Sequence, residues 1–79
     1  MHKQFYFDHP DGRRALLVVI DKVNLHRVRL IIRGDRGNGP AILCRTYTTE
    51  RGARAALRRR GSGWTCIRKN VWIIGGVKQ

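Results

Sequence analysis

Apolar and polar positions alternate at the start of the chain. In residues 3–8, Phe5 and Phe7 fall on one side and Tyr6 on the other, which predicts a strand. His9-Pro10-Asp11-Gly12 puts proline and glycine where a type I turn prefers them, and the Val/Leu/Ile-rich run 13–20 completes a hairpin. Residues 21–25 form a weaker turn. In residues 26–33, Val28, Leu30 and Ile32 share one face and Arg27, Arg29 and Arg33 the other, so this strand should carry a buried side and a cationic side. Gly34, Gly37, Gly39 and Pro40 break the pattern, and residues 34–40 are expected to be the most mobile internal segment. Residues 41–47 resume strand character and complete a four-strand meander.

The period then changes. Thr48 or Thr49 can cap a helix, Glu50 suits its positive end, and Arg58-Arg59-Arg60 before Gly61 suits its negative end and the stop, which predicts a helix over residues 49–60. Ala53, Ala56 and Leu57 fall together on its wheel and should face inward. Arg51, Arg54 and Arg58 form a stripe within about 60° of one another at roughly 100° per residue and should face outward. Residues 64–68 and 71–74 read as a second, shorter hairpin around Lys69-Asn70, with Trp64 and Trp72 meeting across it. A loose tail follows from about residue 75. The expected fold class is α+β, a twisted antiparallel β-sheet of about six strands with one α-helix on one face, in the order ββββαββ, forming a single small basic domain over residues 1–79.

Charge changes this picture most. The 79 residues carry 17 Lys plus Arg against 5 Asp plus Glu, a formal net charge of +12. So short a chain buries only roughly 60% of its unfolded surface, and self-repulsion erodes that small margin. At 42% hydrophobic residues it is too apolar for a disordered polycation. Most of the basic residues are Arg, whose planar fork pairs bidentately with phosphate or carboxylate. Five acids cannot neutralise such a surface, so an anionic partner is expected, either a DNA or RNA backbone or an acidic protein surface. The candidate binding residues are Arg27, Arg29 and Arg33 on the strand, with Arg51, Arg54, Arg58 and Arg59 on the helix.

Other chemistry finds little footing. His2, His9, His26, Cys44 and Cys66 are scattered singly, without the paired spacing of a zinc site, and neither metal nor cofactor is assigned. The two cysteines read as buried, reduced thiols, with a disulfide left open. The acids mostly sit in turns or at the helix start, so no catalytic residue is assigned and the chain reads as a binding protein and not an enzyme. Residues 34–40 lack the strand-to-helix setting of a phosphate-cradling loop. Tyr6 and Tyr47 are the aromatic residues best placed for exposure. There is no RNA-recognition signature, groove-reading helix pair or heptad basic region, which leaves backbone contact without sequence readout. The longest wholly apolar run, residues 15–20, is far below the roughly 20 needed to span a bilayer, and no signal-peptide core follows Met1. A cytoplasmic location in a host cell is expected, with no membrane partner; the oligomeric state is left open.

Within residues 48–72, a Thr at the helix start, Ala53 and Leu57 one turn apart, then Gly61, Trp64, Ile67, Asn70 and Trp72 on the last hairpin resemble one type of small phage-encoded anti-CRISPR protein. The resemblance covers about a third of the chain. It implies a curved antiparallel sheet with one helix, and a stoichiometric inhibitor of a type I CRISPR surveillance complex that docks on a subunit and blocks target DNA binding. The alternative is a general nucleic-acid-binding module, architectural or ribosome-associated, that holds the phosphate backbone through arginine.

Overall fold

The computed structural model describes residues 2–72, and of Trp72 the backbone alone. Five strands follow the period-two pattern: β1 (His2–Asp8), β2 (Arg14–Lys22), β3 (Leu25–Arg33), β4 (Ala41–Tyr47) and β5 (Thr65–Trp72). One helix, α1 (Glu50–Arg59), lies between β4 and β5. The strands form one sheet in the order β4-β3-β2-β1-β5, antiparallel throughout. The helix is therefore the crossover that carries the chain from one edge of the sheet to the other.

The core lies between the helix and one face of the sheet. Phe5 and Phe7 of β1, Ala15, Leu17 and Val19 of β2, and Val28, Leu30 and Ile32 of β3 point into it, and Ala53, Ala56 and Leu57 of α1 close it from above. Two small residues among the three on the helix let it lie close against the sheet. At the β1–β2 turn the Gly12 N–H donates to the His9 carbonyl at 3.0 Å, and the φ of +97° at Gly12 is one that glycine reaches without strain. The Thr49 hydroxyl accepts from the Gly52 N–H at 3.0 Å as the helix N-cap, and Gly61, at φ +132°, ends the last turn.

Several expectations are corrected. The predicted last hairpin is one continuous strand: Lys69 and Asn70 pair with Phe5 and Gln4 instead of turning, so the sheet has five strands among the described residues, not six. Trp64 precedes this strand and Trp72 ends it, so the two cannot meet across a turn. Residues 73 and 74, assigned to the last predicted strand, and the expected loose tail lie outside the described residues. Beyond these corrections, residues 34–40 contain a 3-10 turn, Asp35–Gly37, joined to the first hairpin by a hydrogen bond from Arg36 N–H to the Gly12 carbonyl at 2.8 Å. Tyr47 pairs with Val28 and packs, half-buried, against the core.

Both cysteines are free thiols, and they are exposed instead of buried. Cys44 and Cys66 sit on the two edge strands, four inter-strand steps apart, about 19 Å at ~4.8 Å per step. A disulfide needs Cα atoms within roughly 7 Å, so the two do not pair within one molecule.

Candidate nucleic-acid interface

The helix covers one face of the sheet, and among the described residues the other face is left open. Pairing register places the open-face residues in rows that cross the strands. One row runs Arg68, Tyr6, Leu16, Ile31, Cys44; the next runs Asn70, Gln4, Val18, Arg29, Thr46; a third pairs His2, Ile20 and Arg27. At one end Arg14 of β2 stands beside Arg33 of β3. Leu16, Val18, Ile20 and Ile31 are all half-buried and form an apolar spine, with Arg27, Arg29 and Arg33 along one flank and Arg68 on the other. Two shallow depressions meet at Ile31, one bounded by Tyr6, Leu16 and Arg33 and the other by Val18, Ile20, Arg27 and Arg29.

Four of the five acids have basic partners among the described residues, and one of these pairs, Asp8 with Arg14, sits at the end of the open face itself. Asp8 pairs with Arg14 at 2.7 Å and Asp11 with Arg13 at 2.8 Å. Glu50 takes Arg54 at 2.9 Å and Lys3 at 3.5 Å, and Asp21 lies 3.5 Å from His26. Among the described residues none of Arg27, Arg29, Arg33, Arg51, Arg58 and Arg59 has an ion pair. These six are exposed, and their charge is available to an external anion. Arg33 is partly oriented by donating to the Gly39 carbonyl at 3.2 Å.

The predicted site residues thus fall into two separated groups. Arg27, Arg29 and Arg33 stand together on the open face, as the alternation of β3 requires. Arg51, Arg58 and Arg59 lie on the helix, on the other side of the sheet, and the latter two also complement the negative end of the helix dipole. Arg54 belongs to neither group, which corrects its placement on an outward stripe. Its guanidinium lies 4.7 Å from the Phe5 ring centre and 5.7 Å from that of Phe7, and its Nε donates to Glu50. It caps the aromatic end of the core with its charge neutralised.

Partial burial pushes the Glu50 carboxyl up, but the hydrogen bond from Arg54 and the nearby Lys3 and Arg54 charges outweigh it and hold the group below its usual value. The ionised form therefore favours the fold, fully above the unfolded value near 4.3 and progressively less as pH falls through the lowered folded value. The melting-temperature gap between the protein and Glu50→Gln is expected to be widest at neutral pH, about 0.5 kcal/mol in stability for so accessible a pair, and to close as pH falls through the lowered folded value. A gap unchanged across that range would show that the ion pair contributes nothing.

A second polar cluster is structural. His9 Nε2 is 2.7 Å from the Ser62 carbonyl, which can only accept, so Nε2 carries the proton. Nδ1 faces Asp11 twice, 3.2 Å from its N–H and 3.0 Å from Oδ1. Arg13 donates to the Arg60 carbonyl at 2.7 Å and its guanidinium lies 5.0 Å from the Trp64 ring centre. The group clasps the first turn to the segment after the helix. Arg13's backbone N–H, donating to Asp11, holds that carboxyl below its ordinary value. Among the described residues there is no group of three His, Cys, Asp or Glu able to hold a metal, and no helix is long and apolar enough to cross a membrane.

Sequence reasoning missed the spine and Arg68. A signal for the spine was present, because residues 15–20 are apolar on both alternate sides, as in a strand whose second face also wants cover. Nothing local marked Arg68, which reaches the site only because β5 pairs with β1. Neither a protein-family model, a curated protein nor a solved structure matches this chain.

Proposed function

We propose that the protein is a non-enzymatic binding module that holds the phosphate backbone of a nucleic acid on the open face of its sheet. The observation that carries this reading is the run of exposed, unpaired Arg27, Arg29 and Arg33 along one strand of an uncovered face, in a chain of net charge +12. Guanidinium groups aligned along one strand can follow a polymer of phosphates, and each fork can take a phosphate by two hydrogen bonds.

A second reading is favoured by one further observation. The arginines of α1 lie on the side of the sheet opposite the open face, so a single copy carries a second cationic surface. An inhibitor that docks on an acidic subunit of a type I CRISPR surveillance complex through Arg51, Arg58 and Arg59, while obstructing the DNA path with its sheet, would use both. It inherits the resemblance of residues 48–72 to phage-encoded inhibitors.

Titration of a labelled polynucleotide at rising salt tests the first reading. With four phosphates engaged, log affinity should fall against log salt with a slope of about −3 to −4. Absence of binding at low salt, or an affinity indifferent to salt, would refute it. A stoichiometric complex with a surveillance complex that survives nuclease treatment would support the second.

A further inference from the structure

We infer that the open face is built for a single-stranded polynucleotide, with bases lying on its centre and phosphates on its rim; this rests on the reading of that face as a nucleic-acid interface. The first ground is the apolar spine. A duplex presents only sugars, phosphates and base edges, and it would press charged phosphates onto Leu16, Val18, Ile20 and Ile31. A single strand has unstacked bases with apolar faces to bury there.

The second ground is Tyr6. It stands half-buried on the open face beside Leu16, its hydroxyl donates to Gln4 Oε1 at 2.7 Å, and the Arg68 guanidinium lies over its ring, 5.6 Å from the centre. A ring with a planar guanidinium over its face is a layered stacking platform of the kind single-strand binders use: a base can lie on the guanidinium or take its place on the ring, and any base serves because every base has a π-face. The two depressions that meet at Ile31 run from this platform towards Arg27 and Arg29, so bases can follow the spine while the backbone follows β3.

The third ground is size. Five strands at ~4.8 Å spacing make a face about 19 Å across, too broad for a major groove about 12 Å wide. The open face of the sheet cannot read a duplex from within a groove, and α1, whose exposed arginines could meet one, lies on the opposite side and contributes nothing to this face.

The test uses the full chain and a fluorescent oligonucleotide of about twelve nucleotides and mixed sequence, in separate arms as single-stranded RNA, single-stranded DNA and blunt DNA duplex. The single strands are expected to bind at least about tenfold tighter than the duplex, and the two single-strand arms show which sugar is preferred. Tyr6→Leu should weaken single-strand binding about tenfold, the effect of one lost base stack, while Tyr6→Phe, which keeps the ring, should bind like the unmodified protein. Equal or tighter binding of the duplex overturns the inference and leaves the backbone-binding reading standing. So does a folded Tyr6→Leu variant that binds as well as the unmodified protein. If no arm binds, both fall. Should Tyr6→Leu not fold, the comparison of single strand with duplex on the unmodified protein decides alone.

Discussion

Charge reversal of Arg27, Arg29 and Arg33 to Glu is expected to abolish polynucleotide binding while leaving the fold in place. All three side chains are exposed and none makes an ion pair among the described residues, so their loss leaves no buried charge behind. The one bond removed is that from Arg33 to the Gly39 carbonyl, a cost of about 1 kcal/mol. A hydrogen bond to a charged group is worth roughly 1.5–3 kcal/mol, so losing three phosphate contacts should weaken binding on the order of a thousandfold or more. The salt slope should flatten by about 2, taking ~0.7 per contact on a single strand. Fluorescence anisotropy gives both quantities, and circular dichroism reports the fold. The matched control is Arg51, Arg58 and Arg59 to Glu, which changes net charge equally on the other side of the molecule. Binding through the β3 face predicts a much smaller loss for this helix variant. Equal losses would mean that overall charge attracts the polymer and that the rows on the sheet are incidental.

Leu30→Ala should destabilise the protein by about 3 kcal/mol, whereas Ile31→Ala, one position along, should cost less than about 1 kcal/mol. Leu30 is 0% exposed on the inner face of β3, in the core that the helix closes, and truncation there leaves a cavity that the close-packed neighbours cannot refill. Domains are stable by only roughly 0.05–0.15 kcal/mol per residue, so this one change removes a large share of the total in so short a chain. Thermal melting should show a fall of at least about 12 °C, at ~4–8 °C per kcal/mol for a chain of this size. Ile31 lies on the open face, so its truncation should leave the melting temperature nearly unchanged and act on binding instead. Comparable destabilisation by both variants would show that the open face is structurally required and not reserved for a ligand.

The two arguments meet on β3, where alternation puts the stability of the domain on one side and its cationic rim on the other. That much is legible in residues 26–33, because a strand's side-chain period of two needs no knowledge of its neighbours. The same holds for the inward Phe5 and Phe7, the turn through Pro10 and Gly12, and the helix between the Thr49 cap and the Gly61 stop. In each, the signal lies within a few residues and the physics that reads it is equally local.

The rest depended on pairing between distant segments. Lys69 and Asn70 have low strand propensity and read as a turn, yet in place they join a continuous ladder with β1, and backbone pairing along the whole strand outweighs a local preference worth at most ~1 kcal/mol. Arg54 looks solvent-facing by helical angle, but the aromatic rings beneath it, Phe5 and Phe7, come from β1 at the far end of the chain and draw its guanidinium inward. The candidate interface itself is assembled by register: Arg68, Tyr6, Leu16 and Ile31 form one row only because β5, β1, β2 and β3 lie in that order. The sequence by itself determined which residues are cationic, which alternate and where the helix lies. Only the tertiary structure decided which cations stand together and which acids neutralise the rest. It also decided that one face of the sheet stays open among the described residues, since strand order is set by long-range contacts that no local period encodes.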